Sequence, residues 1–216
     1  VGLYEKCIEP HLVNIGFAKG LASDTMLKPE QRKFVEMSKQ AVADAYLALG
    51  SFHARAAEVL YNAPIPAKIK KMPVQHYLYR QKLAETVQPL FIQAFERNIA
   101  SKTSLREHGY GDSVIRAIND SIASVLFRRS NVFLSLSSEM LNNPDIPPEI
   151  KGDEREETVF QLEDVAFEIQ DKALRSLEEG YDYVQRESIE GIWRRKILES
   201  LKFLDPQTYT PKEALQ

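Results

Sequence analysis

The sequence predicts an all-α protein of about six or seven helices, in which helix pairs repeat along the chain. Nine glycines among 216 residues are few, and Ala, Leu, Glu, Lys, Gln and Arg fill the long segments. These six residue types lose little rotamer freedom in a helix. Apolar residues recur at spacings of three and four, as in amphipathic helices. No segment alternates with a sustained period of two, so we predict no strands.

The first helix of this pattern covers residues 38–61 and has one apolar face. Two prolines, Pro64 and Pro66, follow it. Proline fixes φ and restricts the residue before it. We therefore expect this loop to end the helix firmly and to set the direction in which the next helix returns. The predicted apolar face consists of Ala41, Val42, Ala45, Tyr46, Leu49, Phe52, Ala56 and Leu60.

The helix and its loop recur at an offset of 81, where residues 113–142 form the second predicted helix. EVLYNAPIPAKIK at 58–70 aligns without a gap with EMLNNPDIPPEIK at 139–151. Such an internal period is typical of a repeat architecture, because one helix pair cannot bury both of its faces alone. The residues that we expect to define the repeated loop are Asn62, Pro64, Pro66, Asn143 and Pro147.

The two copies of this helix carry aromatic residues at matching positions. Tyr46 aligns with Phe127, and Phe52 aligns with Phe133. Aromatic side chains that recur on the apolar face of an amphipathic helix are typical of a core. We therefore expect all four aromatic side chains to be buried between neighbouring helices.

A second helix follows each proline loop. Residues 82–95 align with residues 161–174 at an offset of 79, and the stretch around Pro10 resembles a partial third copy. Pro89 lies in the first of these segments, where it is expected to kink the helix or to mark its start. We predict a single helical-repeat domain over residues 1–216, with the approximate units 1–73, 74–152 and 153–216.

Two further segments complete the predicted order of elements. Residues 103–112 contain two glycines and predict a loop before the repeated helix begins again. Residues 189–204 have apolar side chains on one face and predict a last helix, which Asp205 and Pro206 end. The polar tail beyond Pro206 carries a further proline, and we expect it to be extended.

Several of these segments resemble the tetratricopeptide repeat. Residues 45–52, AYLALGSF, are similar to the first helix of that repeat, in which a Leu-Gly pair is followed by an aromatic. Residues 93–96 and 172–174 are similar to the second helix, where a small Ala lets the partner helix approach closely. The run Leu204-Asp205-Pro206 resembles the closing turn. The unit of about 80 residues departs from the usual 34.

The order of the motifs is also similar to the long-helix repeats of large bacterial cell-envelope proteins. It consists of the proline loop, a tyrosine, the Pro89-Leu90 pair followed by Ala94, and a last helix that contains Trp193. Proteins with such repeats include those linked to gliding motility and outer-membrane assembly. The resemblance implies a right-handed, tetratricopeptide-like superhelix of antiparallel helix pairs, a scaffolding role for a protein partner, and a bacterial periplasmic or cell-envelope location.

The composition provides no clear sign of catalysis, of a cofactor or of a membrane span. The formal charge of −3 gives no general attraction to nucleic acid or anionic lipid, and no run of 18 apolar residues exists. Cys7 is the single cysteine, so an internal disulfide is excluded. Cys7 and His11 have the spacing of two metal ligands on one helix face, but a packed Cys7 and a surface His11 are favoured because further ligands are missing. We predict no enzymatic activity, no cofactor and no metal, and the alternative is an enzyme of the helical-bundle type.

A basic and aromatic stretch is the first candidate for partner binding. Residues 67–82 contain no acid, and their basic residues are interleaved with His76, Tyr77 and Tyr79. This combination is found in proteins that bind nucleic acid or acidic proteins. The alternative is a solvated helix start whose tyrosines belong to the core. The residues predicted to contact a partner are Lys68, Lys70, Lys71, Tyr77 and Arg80.

An acidic segment is the second place where the composition departs from a neutral surface. Residues 153–190 hold thirteen acids and four bases, which would attract a basic partner on approach, or else form a solvated outer face. We predict a non-catalytic scaffold that binds a protein of unknown identity. Binding of nucleic acid or an acidic ligand through residues 68–82 is the alternative in a different class.

Overall fold

The structure is a computed structural model, and it describes residues 6–7, 9–10, 13, 27–107 and 110–209. Most of these residues are helical. These residues contain no strands, so the all-α prediction is confirmed. No helix among them has an apolar stretch long enough to cross a bilayer. The longer and shorter helices in chain order are α1 (Pro29–Tyr61), α2 (Ala67–Lys70), α3 (Pro73–Glu107), α4 (Asp112–Asn142), α5 (Asp153–Arg186), α6 (Ile192–Leu204) and α7 (Pro206–Tyr209).

The chain divides into two compact units, and each is assembled from separate segments. Unit 1 comprises Val1–Arg55 and Ile92–Ile122, whereas unit 2 comprises Ala56–Phe91 and Ala123–Gln216. Each unit therefore takes parts of α1, α3 and α4. The division does not follow the predicted boundaries near residues 73 and 152, because long helices contribute to both units.

Unit 1 brings α1, α3 and α4 together through small and polar residues. The Ser101 hydroxyl donates to the Ala43 carbonyl at 2.9 Å, and the Asn98 amide donates to Ser121 Oγ at 3.1 Å. At Gly50, an added Cβ would lie 2.3 Å from Asn98 Oδ1 and 3.0 Å from the Ala94 carbonyl oxygen. Glycine is therefore needed at position 50, because α1 and α3 approach too closely there for a side chain.

Unit 2 packs each long helix against the next one in the chain. Arg129 of α4 donates to Gln88 of α3 at 3.2 Å and to Glu179 of α5 at 2.9 Å. The hydroxyls of Ser130 and Ser176 are hydrogen bonded at 2.9 Å, which joins α4 to α5 inside the core. Other fully buried side chains of this unit are Leu136, Ile169, Leu177, Ile197 and Leu201.

α1 and α4 each end just before a proline loop. α1 ends at Tyr61 and α4 ends at Asn142, which reproduces the sequence offset of 81. The Ile69 amide donates to the Pro66 carbonyl at 2.9 Å, and the Ile150 amide donates to the Pro147 carbonyl at 3.1 Å. These helix ends and hydrogen bonds are alike in the two segments, and the structural repeat itself stays a prediction. A right-handed superhelix stays a prediction.

The amide groups of Asn62 and Asn143 repeat the same local geometry just after the helix ends. Each backbone amide donates to the carbonyl of the glutamate four positions earlier, Glu58 or Glu139, at 3.0 Å. The Asn62 side-chain amide also donates to the Glu58 carbonyl at 2.8 Å. Pro64 is exposed in the first loop. These bonds occupy carbonyls that a helix end otherwise leaves unsatisfied.

The second helices of the repeat are also matched in length, with some differences from the prediction. α3 has 35 residues and α5 has 34. α3 continues through Pro89, so this proline does not mark the start of the helix. The loop predicted over 103–112 is shorter, because α3 extends to Glu107. The expected extended tail instead begins with the short helix α7, and residues 210–216 lie outside the described part.

Of the four aromatics predicted to be buried, one is buried, two are only partly buried and one is exposed. Phe133 is buried, with 5% of its surface exposed, whereas Tyr46 and Phe127 are half-buried. The prediction for Phe52 is wrong, because 41% of this side chain is exposed. The neighbouring His53 is buried instead, so the apolar face of α1 is rotated by about one residue from the predicted one.

Candidate functional site

The basic part of the predicted partner-binding stretch lies on the surface of unit 2. Lys68 and Lys70 belong to the short helix α2, and Lys71 follows it. All three are exposed, and none has an ion pair with another described residue. Their three ammonium groups form a local positive surface, here called the lysine patch. Its role in partner binding stays a prediction.

Tyr77 does not belong to this surface, contrary to the prediction. Its side chain is completely buried. The hydroxyl donates to Glu139 Oε1 at 3.2 Å and accepts from the Asp145 backbone amide at 2.8 Å. Tyr77 therefore joins α3 to α4 and to the second proline loop, and we remove it from the proposed partner contacts. This outcome matches the alternative in which the tyrosine belongs to the core.

Arg80 is likewise occupied inside unit 2. Its Nη1 atom lies 2.6 Å from both carboxylate oxygens of Glu139, and Nη2 donates to the Tyr61 hydroxyl at 3.2 Å. Glu139 thus neutralises the guanidinium, which has little charge left for a partner. Sequence reasoning missed this pair because Glu139 is distant from Arg80 in sequence, near the end of another helix.

Burial changes the protonation behaviour of this polar network. Burial is the main cause that raises the pKa of Tyr77 to about 12, and the Glu139 carboxylate raises it further. His76 stacks on Tyr77, with ring centroids 4.9 Å apart. Burial, followed by the nearby Arg80 charge, lowers the pKa of His76. Both side chains are therefore neutral at physiological pH.

An open groove lies between α4 and α6 in unit 2. Its volume is about 480 Å³, and it is open to solvent. Phe203 is one of its walls and is 66% exposed. The groove combines apolar side chains with hydroxyl, amide and charged groups. Its lining consists of Phe127, Asn131, Leu134, Ser135, Ser138, Lys196, Glu199, Ser200 and Phe203.

Aromatic and cationic side chains form one end of this groove. Phe127 packs on Trp193 with ring centroids 5.8 Å apart. Lys196 Nζ lies 4.7 Å from the Trp193 ring and 5.5 Å from the Phe127 ring, within the range of cation–π attraction. Sequence reasoning missed the groove. A signal for it was Phe203, because this aromatic does not belong to the predicted apolar face of the last helix, which consists of Ile189, Ile192, Trp193, Ile197, Leu201 and Leu204.

The acidic segment predicted over 153–190 coincides largely with α5. Two aromatic side chains on this helix, Phe160 and Phe167, are 68% and 56% exposed. They are seven positions apart and therefore share one face of the helix. Acidic residues lie one turn away from them on either side. The surface formed by Phe160, Phe167 and the adjacent acids Glu156, Glu157, Glu163, Asp164 and Asp171 is here called the α5 face.

The remaining candidate ligands do not converge in the described part of the chain. That part contains no group of three or more His, Cys, Asp or Glu side chains placed to hold a metal ion. Cys7 is exposed rather than packed, and His11, its partner in the weak metal pattern, lies outside the described residues. His53 is buried, which is typical of a core histidine.

The chain was compared with known protein families, with curated proteins and with solved structures. None of the three comparisons found a match. The resemblance to tetratricopeptide repeats and to bacterial envelope proteins therefore stays a prediction. Unit 2, with its groove, its lysine patch and the α5 face, provides the geometry from which a function can be proposed.

Proposed function

We propose that this protein is a non-catalytic helical-repeat scaffold that binds a protein partner through the groove between α4 and α6. The groove itself is the observation that supports this proposal. It is open along one side, and its apolar wall at Phe203 is exposed. Small-molecule pockets usually enclose most of their ligand. An open groove instead suits an extended or helical polypeptide segment that places an apolar side chain between the two helices.

The groove also has the chemistry that a polypeptide requires. Leu134 and Phe203 provide apolar contacts, and the hydroxyls of Ser138 and Ser200 are suited to backbone amides and carbonyls of the bound segment. The Ser135 hydroxyl donates to the Asn131 carbonyl at 2.7 Å, so it is suited to accept from a backbone amide. Stacked helices present long shared faces for such contacts. A partner within a bacterial envelope assembly is the setting that the family resemblance implies.

Site-specific photo-cross-linking tests this function. A photoreactive amino acid at Ser138, inside the groove, is expected to capture a discrete partner in cells. The same amino acid at Thr103, an exposed position of α3 in unit 1, is the control and is expected not to capture it. The captured protein is then purified, and its affinity is measured by titration calorimetry. Phe203→Ser is expected to weaken binding about tenfold. Equal capture at both positions, or an unchanged affinity, would contradict the proposal.

The lysine patch supports a second candidate, the binding of an acidic ligand. The supporting observation is the exposure of Lys68, Lys70 and Lys71 without ion-pair partners among the described residues. An acidic protein fits this patch better than nucleic acid does, because burial of Tyr77 removes one of the aromatic rings on which bases would stack. Salt-sensitive binding of random single-stranded RNA would favour nucleic acid instead.

A further inference from the structure

In unit 2, α4 packs along α3, which is the long helix that follows the first proline loop. The N-terminal half of α3 packs against the C-terminal half of α4. Gln88 accepts from Arg129 at 3.2 Å, and Arg80 pairs with Glu139 at 2.6 Å. The residue that comes later in α4, Glu139, contacts the residue that comes earlier in α3, Arg80, so the two helices are antiparallel. The covering segment of α4 is its last part, just before the proline loop.

In the predicted repeat α5 aligns with α3, but in the described part of the chain no helix covers the N-terminal half of α5 in this way. Near its C-terminal half, α6 approaches at Gly180, where an added Cβ would lie 3.6 Å from Ile197. α6 then ends at Leu204, and Pro206 prevents its continuation. α4 has 31 residues and α6 has 13. A helix as long as α4 would therefore continue well beyond Leu204, along the N-terminal half of α5.

Phe160 and Phe167 lie where that missing segment would make contact. At the offset of 79 that aligns the two second helices, Phe167 corresponds to Gln88 and Phe160 corresponds to Gln81. Gln88 is one of the α3 side chains that bind α4. Both phenylalanines are more than half exposed. Exposed aromatic side chains that are spaced along one helix face are suited to anchor a partner helix.

The negative charge of the α5 face favours an occupant with positive charge. Residues 153–171 contain eight acids and a single base, Arg155. The acids at 163 and 164 lie between the two phenylalanines along the helix. A partner segment with acidic flanks would be repelled, whereas one with lysines or arginines beside its apolar stripe would be attracted. Residues 210–216 of this chain contain one lysine and one glutamate, so they offer no net positive charge.

We propose that the α5 face is the docking site for a basic amphipathic helix of a partner protein. The helix makes up the difference in length between α4 and α6, which is about 18 residues or about 27 Å. Its apolar stripe packs on Phe160 and Phe167, and its basic residues pair with the adjacent acids. It packs on the N-terminal half of α5 in the same way as the last part of α4 packs on the N-terminal half of α3. This site rests on the proposed protein-binding function and adds a second surface to it.

Synthetic peptides test the proposed site on the full chain. The probe is a fluorescently labelled peptide of leucine and lysine with helical periodicity, and it has the same length as the proposed partner helix. The first control peptide replaces lysine with glutamate, and the second keeps the composition but breaks the periodicity. Fluorescence anisotropy is expected to report binding of the basic helical peptide at least about tenfold tighter than that of either control. Equal binding of the two basic peptides would overturn the proposal, because it would indicate charge attraction alone.

Matched variants locate the bound peptide. Phe160→Ser combined with Phe167→Ser is expected to weaken binding about tenfold or more. The control is Phe34→Ser on α1, because Phe34 is 57% exposed and lies on another helix. Thermal unfolding of each variant checks that the chain is still folded. A similar loss of affinity in the control and in the double variant would overturn the proposed location.

The charge contribution is tested separately. Glu163→Gln combined with Asp164→Asn is expected to weaken binding and to reduce its dependence on salt. The control is Glu30→Gln combined with Asp112→Asn, which removes two exposed acids elsewhere. No difference between the two double variants would overturn the role of the α5 acids.

Other occupants and the proposed groove give distinguishable results. If sedimentation equilibrium detects a dimer that Phe160→Ser and Phe167→Ser abolish, a second copy covers the face and the proposal is wrong. If the peptide binds only after removal of residues 210–216, the tail of the chain is the occupant, and the proposal is also wrong. If the peptide fails to bind while Ser138 still captures a partner, the α5 site is wrong but the groove function stands.

Discussion

Arg80 and Glu139 form an ion pair in which Nη1 of the arginine lies 2.6 Å from both carboxylate oxygens. The two side chains are 20% and 37% exposed. Glu58, the residue that aligns with Glu139 in the first copy, pairs with Arg128 of α4 at 3.2 Å. The two copies therefore place a glutamate at the same position, but α3 supplies the cation in one case and α4 supplies it in the other.

The first prediction compares these two pairs. Arg80→Met is expected to lower the free energy of unfolding by about 2 kcal/mol, because it leaves the partly buried Glu139 carboxylate without its cation. Arg128→Met removes a guanidinium group on a side chain that is 44% exposed, against 20% for Arg80, and is expected to cost less than about 1 kcal/mol. Urea denaturation measures both. Equal losses would contradict a special role for the Arg80–Glu139 pair.

The second prediction concerns the hydroxyl of Tyr77. Tyr77→Phe removes the donor to Glu139 and the acceptor for the Asp145 amide, so it is expected to cost about 1–3 kcal/mol. The pKa of Tyr77 is raised from 10.0 to about 12 in the folded state. The contribution of the protonated Tyr77 hydroxyl to the free energy of unfolding is therefore fully present below pH 10 and is lost as the pH rises towards 12. Unfolding measured from pH 9 to 12 is expected to show a shallower decline in Tyr77→Phe than in the unchanged chain.

The third prediction concerns acid and His76. Burial lowers the pKa of His76 below its ordinary value of 6.5, so the unfolded chain binds a proton more readily than the folded one. The contribution of neutral His76 to the free energy of unfolding is fully present above pH 6.5. It falls as the pH decreases from there towards the lower pKa that His76 has in the folded state. His76→Phe keeps an aromatic ring beside Tyr77 and removes this titration. The decrease in melting temperature between pH 7.5 and 5.5 is expected to be smaller in this variant, and an unchanged decrease would contradict the assignment.

The fourth prediction uses two aligned phenylalanines. Phe133→Ala is expected to destabilise the chain by about 3–5 kcal/mol, because it leaves a cavity in the core of unit 2. Phe52→Ala removes a side chain that is 41% exposed and is expected to cost less than about half as much. Thermal or urea unfolding measures the difference. A loss below about 1 kcal/mol for Phe133→Ala would mean that this face is not packed.

The fifth prediction concerns the lysine patch. Lys70→Glu combined with Lys71→Glu is expected to slow association with an acidic partner, because exposed charges steer encounter and are screened beyond about 8 Å at physiological ionic strength. The melting temperature is expected to be nearly unchanged, since both side chains are exposed. Stopped-flow association at two salt concentrations measures the effect. Unaltered association would remove the patch from partner binding, and loss of folding would make the lysines structural.

Local rules in the sequence were sufficient for the helices and for the places where two of them end. The prolines that follow Asn62 and Asn143, of which Pro66 and Pro147 are aligned, come just after helices that end at matching positions, because proline acts on the backbone of its immediate neighbours. The apolar period located α1, α3, α4, α5 and α6 approximately. It was less accurate about which edge of each apolar face is buried, and Phe52 is the example.

Only the tertiary structure decided the roles of the predicted site residues. Tyr77 and Arg80 are neighbours of the lysines in sequence, but Glu139 at the end of α4 and Asp145 beyond it bind them inside unit 2. The groove at Phe203 likewise depends on α6, which lies beside α4 although the two helices are far apart in sequence. Side-chain burial and ion pairing depend on which distant segments meet, whereas helix formation depends on residues three and four positions apart. The sequence by itself therefore determined the helices, and packing decided which side chains a partner can reach.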